Sequence, residues 1–276
     1  MARKFIFFGK LIDNCKHTFT STQRKMSKFV LDNHNLVYNM TLSELAARLG
    51  VSESTVIRFI RRLGIHSYTD FRNIIRDYSR FVSNPGLKID ETKNKVERKN
   101  IISSVASSDA DLIIKTALKI LKTDFDYAVN LLSHADKIYV SCEARDMPLA
   151  LLLYNNLSVI KDSVFLIEQR NPRALSFLKG DVLIAFNLTR ESVFLNGLCE
   201  FAKQNEAEII SFITSTQSKV SGFSTISFII ETDPRAFTDS IVGAVSLINA
   251  LTIEITNRFE RQAKNRLENI EKLFGN

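Results

Sequence analysis

Apolar residues near the start of the chain recur with the spacing of two short α-helices. The first stripe is Leu42, Leu45, Ala46 and Leu49, and the second is Val56, Phe59, Ile60 and Leu63. Residues three and four apart share one helical face, so each stripe predicts a helix with one buried side. Gly50 lies between them and permits the backbone that ends a helix. Residues 41–63 therefore predict two helices joined by a tight turn.

Both predicted helices carry a start signal. Thr41 followed by Glu44 has the spacing of a capping box, in which each side chain bonds the other residue's backbone N–H. Ser52 precedes the second helix and is a favoured N-cap residue. These caps fix where the two helices begin.

The outer face of the second helix is polar and basic. Ser54, Arg58 and Arg61 lie opposite its apolar stripe, with Glu53, Thr55 and Arg62 beside them. Arginine can donate two hydrogen bonds to guanine O6 and N7 in a major groove, and hydroxyl groups bond bases or phosphates. We therefore expect a DNA-reading helix-turn-helix that uses Ser52, Glu53, Ser54, Thr55, Arg58, Arg61 and Arg62. The alternative is an amphipathic hairpin with solvated arginines.

Charge along the chain supports the DNA-binding interpretation. The first eighty residues hold 14 Lys and Arg against 6 Asp and Glu, a net charge of +8. The remainder holds 23 against 24, so the whole excess of positive charge lies in the region of the two helices. A basic domain of this kind has the electrostatic footprint of phosphate binding.

Pattern and composition divide the chain into two domains. Residues 1–82 are predicted to be an all-α domain, in which a helix over 21–34 and another from about Thr69 complete the core. Pro85 and Gly86 interrupt both helix and strand, so we place a boundary at 83–90. Residues 83–122 are predicted to be a linker with connecting helices, and residues 123–276 a second domain.

The second domain alternates short apolar runs with helical patterns. Strands are predicted at 137–141, 163–167, 181–186, 208–213 and 226–230, and helices at about 125–134, 146–159, 192–205 and 238–260. Apolar strands separated by helices indicate an α/β fold, a five-stranded parallel sheet flanked by helices in flavodoxin-like layering. The apolar stripe of 237–274 favours a covering helix, either core or interface, followed by an exposed charged tail.

Several kinds of site are not indicated. Cys15, Cys142 and Cys199 are far apart and lack a Cys-x-x-Cys pair, and the four histidines are scattered, so we expect no disulfide framework, metal site or cofactor. No long apolar run or leader pattern occurs, which predicts a cytoplasmic protein without a membrane partner.

The chain as a whole resembles the RpiR/MurR family of bacterial transcriptional regulators. The likeness is strongest at LSELAARLGVSESTVIRFIRRLGIHSYTDFR, residues 42–72, and extends to the layout of the strands DKIYV, GDVLIAF and AEIISFIT. The resemblance implies a C-terminal sugar isomerase (SIS) domain after the helix-turn-helix. It also implies a regulator of a sugar or amino-sugar utilisation operon, acting as a homodimer or homotetramer.

The family holds a sugar phosphate on two loops, resembling Gly-x-Gly-x-Ser and Ser-x-Ser-Gly-x-Thr. Here the first loop, residues 142–146, reads CEARD and lacks both glycines and the serine. The second, residues 187–192, reads NLTRES and keeps two hydroxyls and an amide. The ligand-binding residues implied by the resemblance are Arg145, Asn187, Thr189, Arg190 and Ser192.

Two interpretations of these loops stay open. In one, Arg145 and Arg190 converge on an anionic ligand through their guanidinium groups. In the other, Arg145 pairs with Asp146 or Glu143 and the domain is only a dimerisation scaffold.

An isomerase is a third possibility, because Glu143, Glu168 and Glu191 are available as general bases. The altered anchoring loops argue against it, and no catalytic residue is assigned.

Overall fold

The computed structural model describes residues 8–83, 100–169, 171–189, 191–232 and 239–274. The chain divides into two compact units, whose described parts are residues 8–83 and residues 100–274 with the gaps just given. The break predicted at Pro85 and Gly86 lies outside the described residues. Each unit is described by itself below.

The first unit is built from helices. They are α1 (Phe8–Cys15), α2 (Ser21–Asp32), α3 (His34–Val37), α4 (Leu42–Leu49), α5 (Glu53–Arg62) and α6 (Tyr68–Ser83). The helix predicted over 21–34 ends at Asp32, where Asn33 donates its backbone N–H and side-chain amide to the Phe29 carbonyl. The core of the unit is aromatic at its centre, with Phe59 edge-on to Phe19 at 5.9 Å between ring centroids.

The second unit is α/β. Its helices are α7 (Ile101–Lys119), α8 (Lys122–His134), α9 (Met147–Ile160), α10 (Val193–Gln204), α11 (Lys219–Phe223), α12 (Val242–Arg258) and α13 (Glu260–Phe274). Its strands are β1 (Ile138–Cys142), β2 (Val164–Ile167), β3 (Val182–Asn187), β4 (Glu208–Ile213) and β5 (Ile226–Ile229). They form one parallel sheet in the order β2-β1-β3-β4-β5, which confirms the predicted fold class.

Alternate strand residues point to opposite faces of this sheet, and both faces are covered. Val140, Ile184 and Phe212 belong to the core beneath α8, α9 and α12. Tyr139 and Leu183 belong to the other core, beneath α10. Because every position of β1 and β3 is buried, the apolar runs in the sequence are continuous rather than alternating. Helix α7 packs on α12 and lies within the second unit.

The C-terminal region agrees in part with its prediction. The charged segment expected to be an exposed tail forms the helix α13, most of whose residues are exposed, but Ala263 is only 3% exposed. Arg266 explains why the helix docks: it donates to the carbonyls of Ser158 and Val159 at 2.9 Å each, at the end of α9. Its ion pair with Asp162 adds to this attachment. Among the described helices, none has the length and apolar character needed to cross a membrane.

Candidate functional site

The turn between α4 and α5 is set by one glycine. Gly50 adopts φ 65° and ψ 35°, the left-handed conformation that side chains with a Cβ disfavour. The following Val51 N–H donates back to the Ala46 carbonyl at 3.0 Å, closing the end of α4. Chain direction therefore changes sharply between the two helices, as in a helix-turn-helix.

Both starting caps predicted from the sequence are present. The Thr41 N–H donates to Glu44 Oε2 at 2.7 Å, and the Glu44 N–H donates to Thr41 Oγ1 at 3.3 Å. These bonds lower the pKa of Glu44, since they favour its ionised form. The Thr55 N–H donates to Ser52 Oγ at 3.3 Å, so Ser52 caps α5.

The residues expected to read DNA form the solvent face of α5. Ser52, Glu53, Ser54, Arg58, Arg61 and Arg62 are exposed and Thr55 is half-buried. On the opposite side Val56, Phe59 and Ile60 are buried in the core of the unit. Arg58 donates from Nη2 to Thr55 Oγ1 at 3.1 Å, which steadies its guanidinium beside the helix N-terminus. Within the described residues no ion pair holds Arg58, Arg61 or Arg62.

Two residues of α6 make long-range hydrogen bonds to the segment before α4, which their helical spacing does not predict. Tyr68 donates its hydroxyl to the Met40 carbonyl at 3.0 Å, and Arg72 donates from Nε to the Tyr38 carbonyl at 3.0 Å. Both bonds hold the segment that leads into α4. Arg72, which has a helical spacing to Arg76 and Arg80, is thus engaged within the protein. Long-range partners of this kind depend on tertiary structure.

A second candidate site lies at the carboxyl edge of the sheet. The chain leaves β1 towards β2 on one side and leaves β3 towards β4 on the other, although β1 and β3 are neighbours. In an open parallel sheet such a switch point leaves a crevice between the two loops, where ligands bind. The described residues that follow the two strands here are 142–146, 187–189 and 191–192.

Asp146 joins these two loops. It is fully buried, and its Oδ2 accepts from the Leu188 N–H at 2.8 Å. Burial raises the pKa of Asp146, and the Leu188 and Thr189 groups oppose that shift. No ion pair between Arg145 and Asp146 or Glu143 occurs among the described residues, so the local pairing considered from the sequence is wrong. The Asp146 carboxyl group is buried and has a backbone partner instead, whereas Arg145 is exposed.

The other predicted ligand residues differ in burial and in hydrogen-bond partners. Asn187 is buried and donates to Ser218 Oγ at 2.8 Å, while Ser192 is buried and accepts from the Leu195 N–H at 3.2 Å as the N-cap of α10. Thr189 is half-buried and Arg145 is exposed. Arg190 lies outside the described residues.

The carboxylates considered as general bases differ in their surroundings. Glu191 is engaged twice, accepting from the Lys219 N–H and from Asn196 Nδ2 at 3.2 Å each. Glu143 and Glu168 lie near the buried Cys142. Burial, followed by the charges of Asp146, Glu143 and Glu168, raises the pKa of that thiol to about 12. In the described part of the chain, no group of three or more His, Cys, Asp or Glu residues is placed to hold a metal ion.

Comparison with known proteins agrees with this architecture. Residues 8–80 match the model of the helix-turn-helix domain of the rpiR family. An HTH-type transcriptional regulator of Thermotoga maritima is 20% identical over 261 residues, covering 92% of this chain and 92% of that protein.

Two solved structures share the fold. The Vibrio vulnificus NanR protein, complexed with ManNAc-6P, has a TM-score of 0.61 at 21% identity, covering 98% of this chain and 99% of that one. The sugar isomerase domain of an RpiR transcription factor from Sphaerobacter thermophilus has a TM-score of 0.59 at 17% identity, covering 63% of this chain and 99% of that domain.

The helix-turn-helix geometry and the matched domain model lead to one assignment. Residues 8–80 are a helix-turn-helix domain of the rpiR family, in a chain that is similar over nearly its whole length to an HTH-type transcriptional regulator and shares the fold of NanR.

Proposed function

We propose that this regulator binds a specific DNA sequence through α5 and that its second unit pairs subunits and senses a sugar-derived effector. One observation carries the DNA-reading role: Arg58, Arg61 and Arg62 lie on the exposed side of a helix whose other side is buried. The burial fixes which side faces outward. A groove can therefore receive the basic face without any rearrangement of the core.

The residues of this face have separable roles in the proposal. Arg58 and Arg61 reach base edges, where a bidentate arginine selects guanine. Ser54 and Thr55 bond bases or phosphates, Ser52 begins the helix at the phosphate backbone, and Glu53 can accept from a cytosine N4 amino group. Arg62, at the C-terminal end of α5, contributes positive charge near the backbone.

Sensing is proposed for the carboxyl edge of the sheet, with Arg145, Asn187, Thr189, Arg190 and Ser192 around the effector. The fold likeness to NanR, whose structure holds ManNAc-6P, supports a sugar or amino-sugar derivative as the class of effector. With an effector of this class, the proposed target is a sugar-utilisation operon, and the proposed location of the regulator is the cytoplasm. Effector binding then changes the placement of two reading helices in a homodimer or homotetramer, because half-sites are spaced by about one DNA turn.

A second candidate function keeps the DNA contact and gives the second unit no ligand. The observation that favours it is that Asp146, Glu191 and Ser192 already bond to protein groups around the crevice. In that case the unit acts only as a dimerisation scaffold. Isomerase activity is not proposed, since Glu191 is engaged as an acceptor and the anchoring loops differ from those that hold a phosphate.

Selection of genomic DNA fragments by the full-length protein tests the proposal. We expect an enriched site with two related half-sites, and a panel of sugars and sugar phosphates should contain one member that alters the affinity for it. An enriched site that no member of a broad panel affects would favour the scaffold. Absence of any enriched site would contradict sequence-specific DNA binding.

A further inference from the structure

The crevice between β1 and β3 has a carboxylate at the position where an anionic ligand would bind. The loops that follow parallel strands carry backbone N–H groups that can donate to a ligand at a switch point. The first such donor after β3 is the Leu188 N–H, and Asp146 Oδ2 accepts from it at 2.8 Å. A carboxyl oxygen of the protein itself has therefore taken this donor.

The placement of Asp146 is unusual for a residue at a helix start. It is the N-cap residue of α9, yet its side chain makes no hydrogen bond to an N–H of that helix. It crosses instead to a loop 42 residues further along the chain while remaining 0% exposed. A capping role for its side chain is thereby excluded, and the bond across the crevice is its observed interaction.

The charges near this position disfavour a second anion. Asp239 lies close enough to Asp146 to raise the pKa of its carboxyl group further, and Glu143 and Glu168 act on the adjacent Cys142 in the same sense. Among the described residues of these loops the basic one is Arg145, which is exposed. A phosphate entering here would approach a buried carboxylate in a medium that screens charge poorly.

The atoms left without partners point to a different ligand chemistry. Asp146 Oδ1 and Asn187 Oδ1 are buried acceptors without a hydrogen-bond partner among the described residues, and the buried Thr189 hydroxyl is likewise without one, although the Thr189 amide and hydroxyl lie near enough to lower the pKa of Asp146. Buried acceptors are normally satisfied. Both need donors, and hydroxyl or ammonium groups supply them whereas an ionised phosphate does not.

We propose that Asp146 is a specificity-determining residue that excludes phosphate from the crevice and selects a polyhydroxylated ligand without a phosphate group. An unphosphorylated sugar or amino sugar has this chemistry. The inference rests on the proposed function only in requiring that the second unit bind a sugar-derived effector. It departs from the phosphorylated effector that the family resemblance implies.

Calorimetric titration of the full-length protein tests this assignment with three probes: inorganic phosphate, N-acetylmannosamine and N-acetylmannosamine 6-phosphate. The variants are Asp146→Ser, Asp146→Asn and the control Asp136→Ser, which removes an equal charge from an exposed residue before β1. We expect wild type to bind the unphosphorylated sugar more tightly than its 6-phosphate. Both Asp146 variants should gain at least about tenfold in affinity for phosphate, and the control should gain none.

Two results would overturn the inference: a wild-type preference for the 6-phosphate, or folded Asp146 variants with no gain for phosphate. Thermal unfolding identifies which variants are folded, and the wild-type comparison decides the matter if neither is. If wild type binds no sugar but the variants gain phosphate binding, the exclusion of phosphate by Asp146 stands, whereas its selection of this sugar and the proposed sensing of it both fail. The two claims are thus tested separately.

Discussion

The exposed face of α5 and the carboxyl edge of the sheet differ in how much of their chemistry is local. In α5 the side-chain hydrogen bonds of the functional face are local, as in the Thr55–Arg58 bond. At the sheet edge the decisive contact joins Asp146 to Leu188, 42 residues apart. A function carried by one helix can therefore be predicted from the sequence, whereas a site assembled from several loops depends on the fold.

The largest expected effect concerns the packing that presents the α5 face. Phe59 is 1% exposed, and Phe59→Ala should cost about 3–5 kcal/mol of stability through lost burial and the cavity that remains. Hydrogen exchange of the α5 amides measures this loss, and DNA affinity should fall with it. Ile253→Ala, at a residue 61% exposed in the second unit, is the control and should change stability by less than about 0.5 kcal/mol. Unchanged protection of α5 in Phe59→Ala would contradict the assigned core.

The next largest effect shows whether Arg58 contacts a base or the phosphate backbone. Arg58→Ala should weaken binding to the selected site by about 1–3 kcal/mol and relax the preference at one base pair. Titrations at several salt concentrations measure it, since a lost phosphate contact lowers affinity for all sequences and reduces the salt slope by about one. Arg261→Ala, an equal charge change at an exposed residue of α13, should alter neither quantity. Uniform weakening with a reduced slope would assign Arg58 to the backbone.

The N-cap serines of α5 and α10 allow a matched comparison of the two regions. Ser52 accepts from the Thr55 N–H at 3.3 Å and Ser192 from the Leu195 N–H at 3.2 Å. Each change to alanine should cost about 1 kcal/mol, measured by chemical denaturation. Ser52→Ala should reduce DNA affinity as well. Loss of the effector response in Ser192→Ala, beyond its loss of stability, would add a ligand role to the cap, and an unaffected response would leave it structural.

The smallest expected effect is that Glu44 and Asp146 contribute to the pH dependence of stability with opposite signs. Hydrogen bonds from Thr41 lower the pKa of Glu44, so its stabilising contribution is present above its unfolded-state pKa and is lost as the pH falls through the folded value. Burial raises the pKa of Asp146, so stability falls as the pH rises from the unfolded value of about 3.9 through the folded one. Chemical denaturation of wild type, Glu44→Gln and Asp146→Asn at several pH values gives the free energy of unfolding as a function of pH. Relative to wild type, the slope of that free energy against pH should decrease in Glu44→Gln and increase in Asp146→Asn. Slope changes of the same sign would contradict one assignment.

The sequence predicts the order and class of the elements because the relevant signals are local. The stripe of Val56, Phe59 and Ile60 and the buried runs of β1 and β3 follow directly from periodicity. Contacts between distant segments were not predictable in this way. Arg72 has the helical spacing of a phosphate-binding residue, yet it bonds to the Tyr38 carbonyl, and Arg266 turns a charged tail into a docked helix.

The sheet edge shows the same limit for the candidate site. The strand ends identify Asn187 and Ser192 as residues near a ligand crevice, but the sequence treats Asp146 only as a neighbour of Arg145. A single chain sequence carries no signal for the bond between Asp146 and Leu188, since the register of β1 and β3 brings the two loops together. The proposed class of ligand depends on that bond.

Selection of binding sites from a randomised duplex library tests the central claim that the basic face of α5 reads DNA sequence. Full-length wild type should enrich a motif with two related half-sites, and a variant with Arg58, Arg61 and Arg62 changed to alanine should lose it while unfolding at a similar temperature. Recovery of the same motif by the folded triple variant, or of no motif by wild type, would contradict the claim.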